Sequence, residues 1–191
     1  LNASGPAPKS LSVAALKDRG FEKIPSYGVE PIDVPGAVAG WMTLHERFGK
    51  LPLEEVMAPA IRYAEKGYPV TPNISRLWQE AFENYSKYRD RPEFQGWFDT
   101  FAPNNTWLKP GEMFRCPDMA KTLKEIAATK GEAFYRGAIA EKIDAFFKKH
   151  NGFLTKEDLA AFKPEWVDPI SVNYHGVDVW ELPPNGHGIT V

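Results

Sequence analysis

The chain has 191 residues, 43% hydrophobic and 13% aromatic, enough to bury one sizeable core and too few to suggest several domains. Its 23 basic and 25 acidic residues nearly balance and form no long basic run, so composition points away from a nucleic-acid backbone or an anionic membrane surface as partner. No apolar run approaches the roughly 20 residues that span a bilayer, and a neutral or small anionic ligand is left open.

Residues 1–35 are broken by Pro and Gly and read as an irregular opening segment; from 36 to 163 helical spacing takes over. Val38, Trp41, His45 and Phe48 recur at three and four residues, which predicts one helical face with a stop at Gly49. Val56, Ala60, Tyr63 and Ala64 predict the stripe of a second helix closed by Gly67. Pro59 inside it is expected to break or kink the helix, because it has no N–H and crowds the preceding turn.

Thr71 is a predicted N-cap with Pro72 at the first helical position, ahead of Ile74, Leu77, Trp78, Ala81 and Tyr85 on one side. From Arg89 to Gly111 the pattern lapses into aromatics, prolines and glycines. That stretch is too apolar for a free linker and is expected to lie against another surface. Cys116, the lone cysteine, can form no internal disulfide and is expected to open a helix marked by Met119, Leu123 and Ile126. Ile139, Ile143, Phe146, Phe147 and His150 mark another helix, which Asn151 and Gly152 end. Thr155 and Asp158 make an acidic capping box.

The period then changes. "PISVNYHGVDVWELP", within 169–183, predicts a β hairpin of strands 170–174 and 177–182 turning at His175-Gly176. An isolated hairpin is marginal in water, so these strands are expected to join a larger central sheet. The fold class is mainly α with a C-terminal β hairpin.

Spacing alone identifies no reaction. His45, His150, His175 and His187 are far apart and none has a metal-ligand partner at motif distance, so neither metal nor cofactor is expected. The pairs Glu54/Glu55 and Glu157/Asp158 fall in first helical turns, where negative charge offsets the helix dipole. No GxSxG elbow, phosphate loop or GxGxxG run is present.

Several motifs in fixed order carry more. "VPGAVAGW" (34–41), "FGKLPLEEVMAPAI" (48–61) and "AEKGYPV" (64–70) come first. "GEMFRCPDMAKTLKEIA" (111–127), "GEAFYRGAIAEKI" (131–143), "GFLTKEDLAAF" (152–162) and "PISVNYHGVDVWELPPNGHGI" (169–189) follow. Together they resemble the γ-glutamyltranspeptidase family, in the middle to late part of its large subunit; only 89–110 departs from the common pattern.

The resemblance implies the helical part of an αββα N-terminal nucleophile hydrolase fold. It also implies a precursor that cuts itself into large and small subunits, with a small subunit of the same precursor as partner. The nucleophile would be the Thr at the small subunit's new N-terminus, acting on a small γ-glutamyl or other acyl amide such as glutathione. Its α-amine can serve as base for its own hydroxyl, which an internal Thr cannot match. Thr190 is internal, so no catalytic residue is expected in this chain, which alone is expected to be inactive; His187 would at most line a wall.

In the family an Arg just before an Ala-Pro pair binds the glutamyl α-carboxylate. Ala7-Pro8 matches that pair, and the Arg position falls on Ser4 or Pro6. Ser4, Gly5 and Pro6 are therefore the candidate substrate-binding residues, without the guanidinium. That departure admits an acylase of another acyl specificity, and a non-catalytic helical scaffold or interaction module is the further alternative.

Overall fold

A computed structural model describes residues 1–186 and 188; His187 and Thr190 lie outside the described residues. The first 35 residues are largely irregular but hold one short helix, α1 (Val13–Asp18). Ser12 caps it by accepting from the Ala15 N–H at 3.1 Å. Six residues are too few for an apolar period to be visible, which is why the spacing gave no sign of it.

Helix α2 (Ala37–Phe48) ends at Gly49 as expected, and α3 (Leu53–Lys66) runs unbroken through Pro59. The expected break does not occur. Met57 and Ile61, on either side of the proline, pack into the main core, and that burial offsets the roughly 3 kcal/mol of one lost bond and a crowded carbonyl. The buried side of α3 also differs from the predicted stripe. Leu53 and Met57 face inward, while Val56 and Tyr63 stay about half exposed. Two apolar stripes about 100° apart compete on this helix, and the helix α6 (Pro117–Thr129) packed on it selects the one the spacing did not.

Strand β1 (Tyr68–Pro69) pairs antiparallel with β2 (Met113–Phe114), closing the base of a loop-rich excursion. Within it lie α4 (Pro72–Tyr85), capped by Thr71 with Pro72 in its first turn, and α5 (Gln95–Phe101). The aromatic stretch lies against another surface as expected, and that surface is α4. Phe94, Phe98 and Ala102 are buried against Phe82, Tyr85, Tyr88 and Trp97, with Tyr88 stacked on Phe94 at 4.9 Å.

Helices α6 (Pro117–Thr129), α7 (Glu132–Tyr135), α8 (Ala138–Lys149) and α9 (Lys156–Ala161) complete the helical body. Cys116 is the N-cap of α6 and Pro117 lies in its first turn. After α8, Asn151 adopts a φ of 57° and the Gly152 N–H returns to the Phe147 carbonyl at 2.7 Å, the stop that Asn-Gly predicts. The main core joins Val29, Val34, Val38, Leu53, Met57, Ile126, Tyr135, Phe147, Leu154, Leu159 and Phe162, so six helices and the opening segment share it.

The hairpin is β3 (Ile170–Tyr174) and β4 (Val177–Glu181), with Val172 opposite Val179 and Tyr174 opposite Val177. His175 and Gly176 turn it with φ of 49° and 84°, both in the left-handed region that a two-residue turn of matching twist requires. Ile170, Val172, Tyr174, Val177 and Val179 share one face, and all are exposed.

Candidate functional site

A cleft of about 770 Å³ opens between the opening segment and the end of α9. One wall is Asn2, Ser4, Gly5 and Pro6 with Asp33; the other is Ala161, Phe162, Lys163 and Glu165, and Asn185 stands at the edge. The three residues singled out from the family's carboxylate-binding position, Ser4, Gly5 and Pro6, thus lie together on one wall.

The backbone holds this wall in place. Asn2 and Glu165 exchange N–H···O bonds of 2.7 and 2.8 Å, a single antiparallel bridge that joins the two walls. The Asn2 Oδ1 accepts from the Ser4 N–H at 2.9 Å and from Asn185 Nδ2 at 3.4 Å. Next along, the Val34 N–H donates to the Pro6 carbonyl at 3.0 Å.

Two glycines are required by close approach. A Cβ on Gly5 would stand 1.7 Å from the Val34 carbonyl oxygen, and one on Gly36 would stand 1.8 Å from that of Ala3. Any larger residue at either position would push the wall off its support.

No arginine lines the cleft. Its charged groups are Lys163 and the carboxylates Asp33 and Glu165, all three exposed. Lys163 makes no ion pair among the described residues, so its ammonium is available to an anion in the cleft. Sequence reasoning missed Lys163, Asp33, Glu165, Asn2 and Asn185. Only Asn2, two residues before Ser4 as in an Asx turn, carried a local signal; Asp33, Lys163, Glu165 and Asn185 join residues 2–6 only through contacts distant in sequence.

The other chemistry-bearing residues do not converge. His45 Nε2 lies 2.8 Å from the Leu51 carbonyl oxygen, His150 packs on Phe146 at 4.6 Å, and His175 sits in the hairpin turn. Glu54 and Glu55 occupy the first turn of α3, and Glu157 and Asp158 that of α9. Among the described residues no three His, Cys, Asp or Glu side chains gather as a metal set, and no helix is long and apolar enough to cross a membrane.

A helical body with a terminal hairpin and this cleft is the helical part of an αββα N-terminal nucleophile hydrolase fold. A cephalosporin acylase from Bacillus halodurans superposes with a TM-score of 0.96 at 51% identity, covering 99% of this chain and 35% of that one. The γ-glutamyltranspeptidase of Helicobacter pylori gives 0.85 at 29% identity, over 98% of this chain and 53% of that one.

The gamma-glutamyltranspeptidase family model matches residues 1–191, and the chain belongs to that family. Among curated relatives, the glutathione hydrolase proenzyme of Pseudomonas aeruginosa is 34% identical over 189 residues, 97% of this chain and 32% of that protein. The chain spans about a third of the length of the first curated relatives it matches.

Proposed function

We propose that the polypeptide carrying this chain hydrolyses or transfers the acyl group of a γ-glutamyl-type amide, and that the 770 Å³ cleft receives the acyl end of that substrate. The carrying observation is that Ser4, Gly5 and Pro6 line a cleft whose opposite wall presents Lys163, a cation with no ion pair among the described residues; by resemblance, residues 4–6 are the family's carboxylate-binding position. The chain contributes binding; a small subunit of the same precursor contributes the chemistry. The hydroxyl oxygen of that subunit's terminal Thr attacks the amide carbonyl carbon, and the Thr amine takes the hydroxyl proton and passes it to the leaving nitrogen. Water or an amine acceptor then attacks the acyl-enzyme and frees the Thr. On this reading the chain alone turns over no acyl amide.

A second reading is favoured by one specific departure: the cleft lacks the guanidinium that would grip an α-carboxylate in two places. A lysine is a point charge and selects less strictly for the amino-acid head group. A buried, paired carboxylate contact of that kind is worth about 2–5 kcal/mol, so its loss admits acyl groups without the α-amine, such as glutaryl. The 51% identity to a cephalosporin acylase supports this acylase reading over strict γ-glutamyl specificity.

The test is expression of the full-length polypeptide. Two bands on a denaturing gel, with the smaller beginning at Thr, support the enzyme; a single uncut band with no turnover supports a non-catalytic scaffold. Turnover of γ-glutamyl-p-nitroanilide supports the first reading, and turnover of glutaryl-p-nitroanilide alone supports the acylase.

The exposed apolar face of Val172, Tyr174, Val177 and Val179 belongs to the same proposal. These strands join a central sheet completed by the rest of the polypeptide, which removes that face from water.

A further inference from the structure

The buried carboxylate of Asp158 is bonded to two segments that lie far apart in sequence. Its Oδ2 accepts the Thr155 N–H at 3.0 Å, one half of the capping box of α9, and in addition the Thr155 hydroxyl at 2.8 Å. Its Oδ1 accepts the Lys9 N–H at 3.1 Å, across 149 residues. Asp158 is 6% exposed and makes no ion pair among the described residues, so three N–H and O–H dipoles carry its charge. A capping box needs only the first of these bonds, together with the Asp158 N–H that donates to the Thr155 hydroxyl oxygen at 3.3 Å; the bond from Lys9 has no role in starting a helix.

Lys9 directly follows Ala7-Pro8 and closes the run that begins with Ser4-Gly5-Pro6. Pro8 is buried, and the Ser10 hydroxyl donates to the Phe153 carbonyl at 3.0 Å, a second tie on the same side. Asp158 therefore grips the downstream end of one cleft wall. Its own helix ends in Ala161 and leads into Phe162 and Lys163, which form the other wall. One carboxylate spans the two sides, and the Asn2–Glu165 bridge holds the far end.

We propose that Asp158 is a positioning residue that fixes the separation of the two cleft walls and thereby sets the fit of the acyl group. The proposal rests on the cleft being the acyl site. Removing the Asp158–Lys9 bond frees residues 4–9 to move away from α9 while leaving the nucleophile untouched. Removing the Thr155 hydroxyl weakens the helix start and leaves the Lys9 bond in place.

The test compares Asp158→Ala with Thr155→Ala in the full-length polypeptide, by hydrogen exchange of residues 1–12 and by steady-state kinetics on the better of the two p-nitroanilides. Asp158→Ala removes the acceptor of the Lys9 N–H and is expected to speed exchange in 1–12 and to raise KM about tenfold, the scale of one lost hydrogen bond to a charge, with kcat little changed. Thr155→Ala is expected to leave both near wild type. If Asp158→Ala folds poorly, Lys9→Pro carries the same comparison, because it deletes the donor N–H while Asp158 and the capping of α9 stay as they are.

Unchanged exchange in 1–12, or an equal rise in KM for Thr155→Ala, overturns the proposal. Faster exchange with an unchanged KM overturns it as well, and places the acyl group elsewhere. A wild-type protein inactive on every acyl amide would instead sink the functional reading, with exchange alone deciding whether Asp158 holds the wall.

Discussion

Tyr135 reaches across the fold to Pro35: its hydroxyl donates to the Pro35 carbonyl at 2.7 Å and accepts from the Ala39 N–H at 3.0 Å. The N-cap of α2 is Gly36, which has no side chain to satisfy the free N–H groups of the first turn. A residue of α7 caps α2 in its place. Because Gly36 supports Ala3, the same hydroxyl steadies the backing of the cleft. Tyr135→Phe leaves a buried donor and a carbonyl unmatched and is expected to cost about 1–3 kcal/mol, read as a lower urea midpoint at unchanged slope.

Gly36→Ala and Gly96→Ala should move stability in opposite directions. The first forces a methyl to within 1.8 Å of the Ala3 carbonyl oxygen, so the opening segment must lift and stability should fall by at least the usual 1–3 kcal/mol of overpacking. The second adds a methyl where nothing lies within 4 Å, inside α5, and should stabilise by about 0.5–1 kcal/mol through helix propensity. Thermal denaturation of the two variants beside wild type checks both signs.

The pH dependence centres on Asp144. The side-chain hydrogen bond from Lys148 at 2.6 Å, aided by the Lys156 N–H at 3.1 Å, holds this carboxyl below its ordinary range despite its burial. Its contribution to stability is complete above the unfolded value of about 4 and is lost as pH falls through the lower folded value. Lys148 is raised for the same reason, its hydrogen bond to Asp144, so its share is lost only as pH climbs above the ordinary lysine value. Asp144→Ala should therefore be less stable than wild type at pH 7. The gap should close in acid below about pH 4, as urea titrations at several pH values would show.

Lys163→Met separates the two acyl readings from a purely apolar pocket. If its ammonium receives the acyl carboxylate, kcat/KM should fall about 10- to 100-fold for γ-glutamyl or glutaryl anilides, the range of a hydrogen bond to a charged group. An uncharged acyl anilide should be turned over as before. Equal losses on charged and uncharged substrates would rule Lys163 out as the carboxylate partner.

Local chemistry was legible in the sequence and long-range contact was not. Thr71-Pro72, Gly49, Asn151-Gly152, Thr155 with Asp158, and His175-Gly176 each mark a boundary through local chemistry, and each stands where the spacing placed it. The facing of α3 could not be read, because Val56 and Met57 are neighbours on a helix that is apolar on two sides. The aromatic stretch around Phe94 and Phe98 hid a small core of its own, since three-residue turns and a seven-residue helix leave no period to count. For the cleft, motif resemblance pointed to Ser4, Gly5 and Pro6, while Lys163 and Glu165 became visible only when α9 brought its end beside Asn2.

The path of residues 2–9 is secured by main-chain atoms and by Asp158, while Ser4 and Pro6 line the cleft and remain exposed. Frame and lining are thus separable. On the acyl-cleft reading, related hydrolases can change which acyl group they accept by exchanging exposed groups at 4 and 6, with the scaffold beneath left undisturbed.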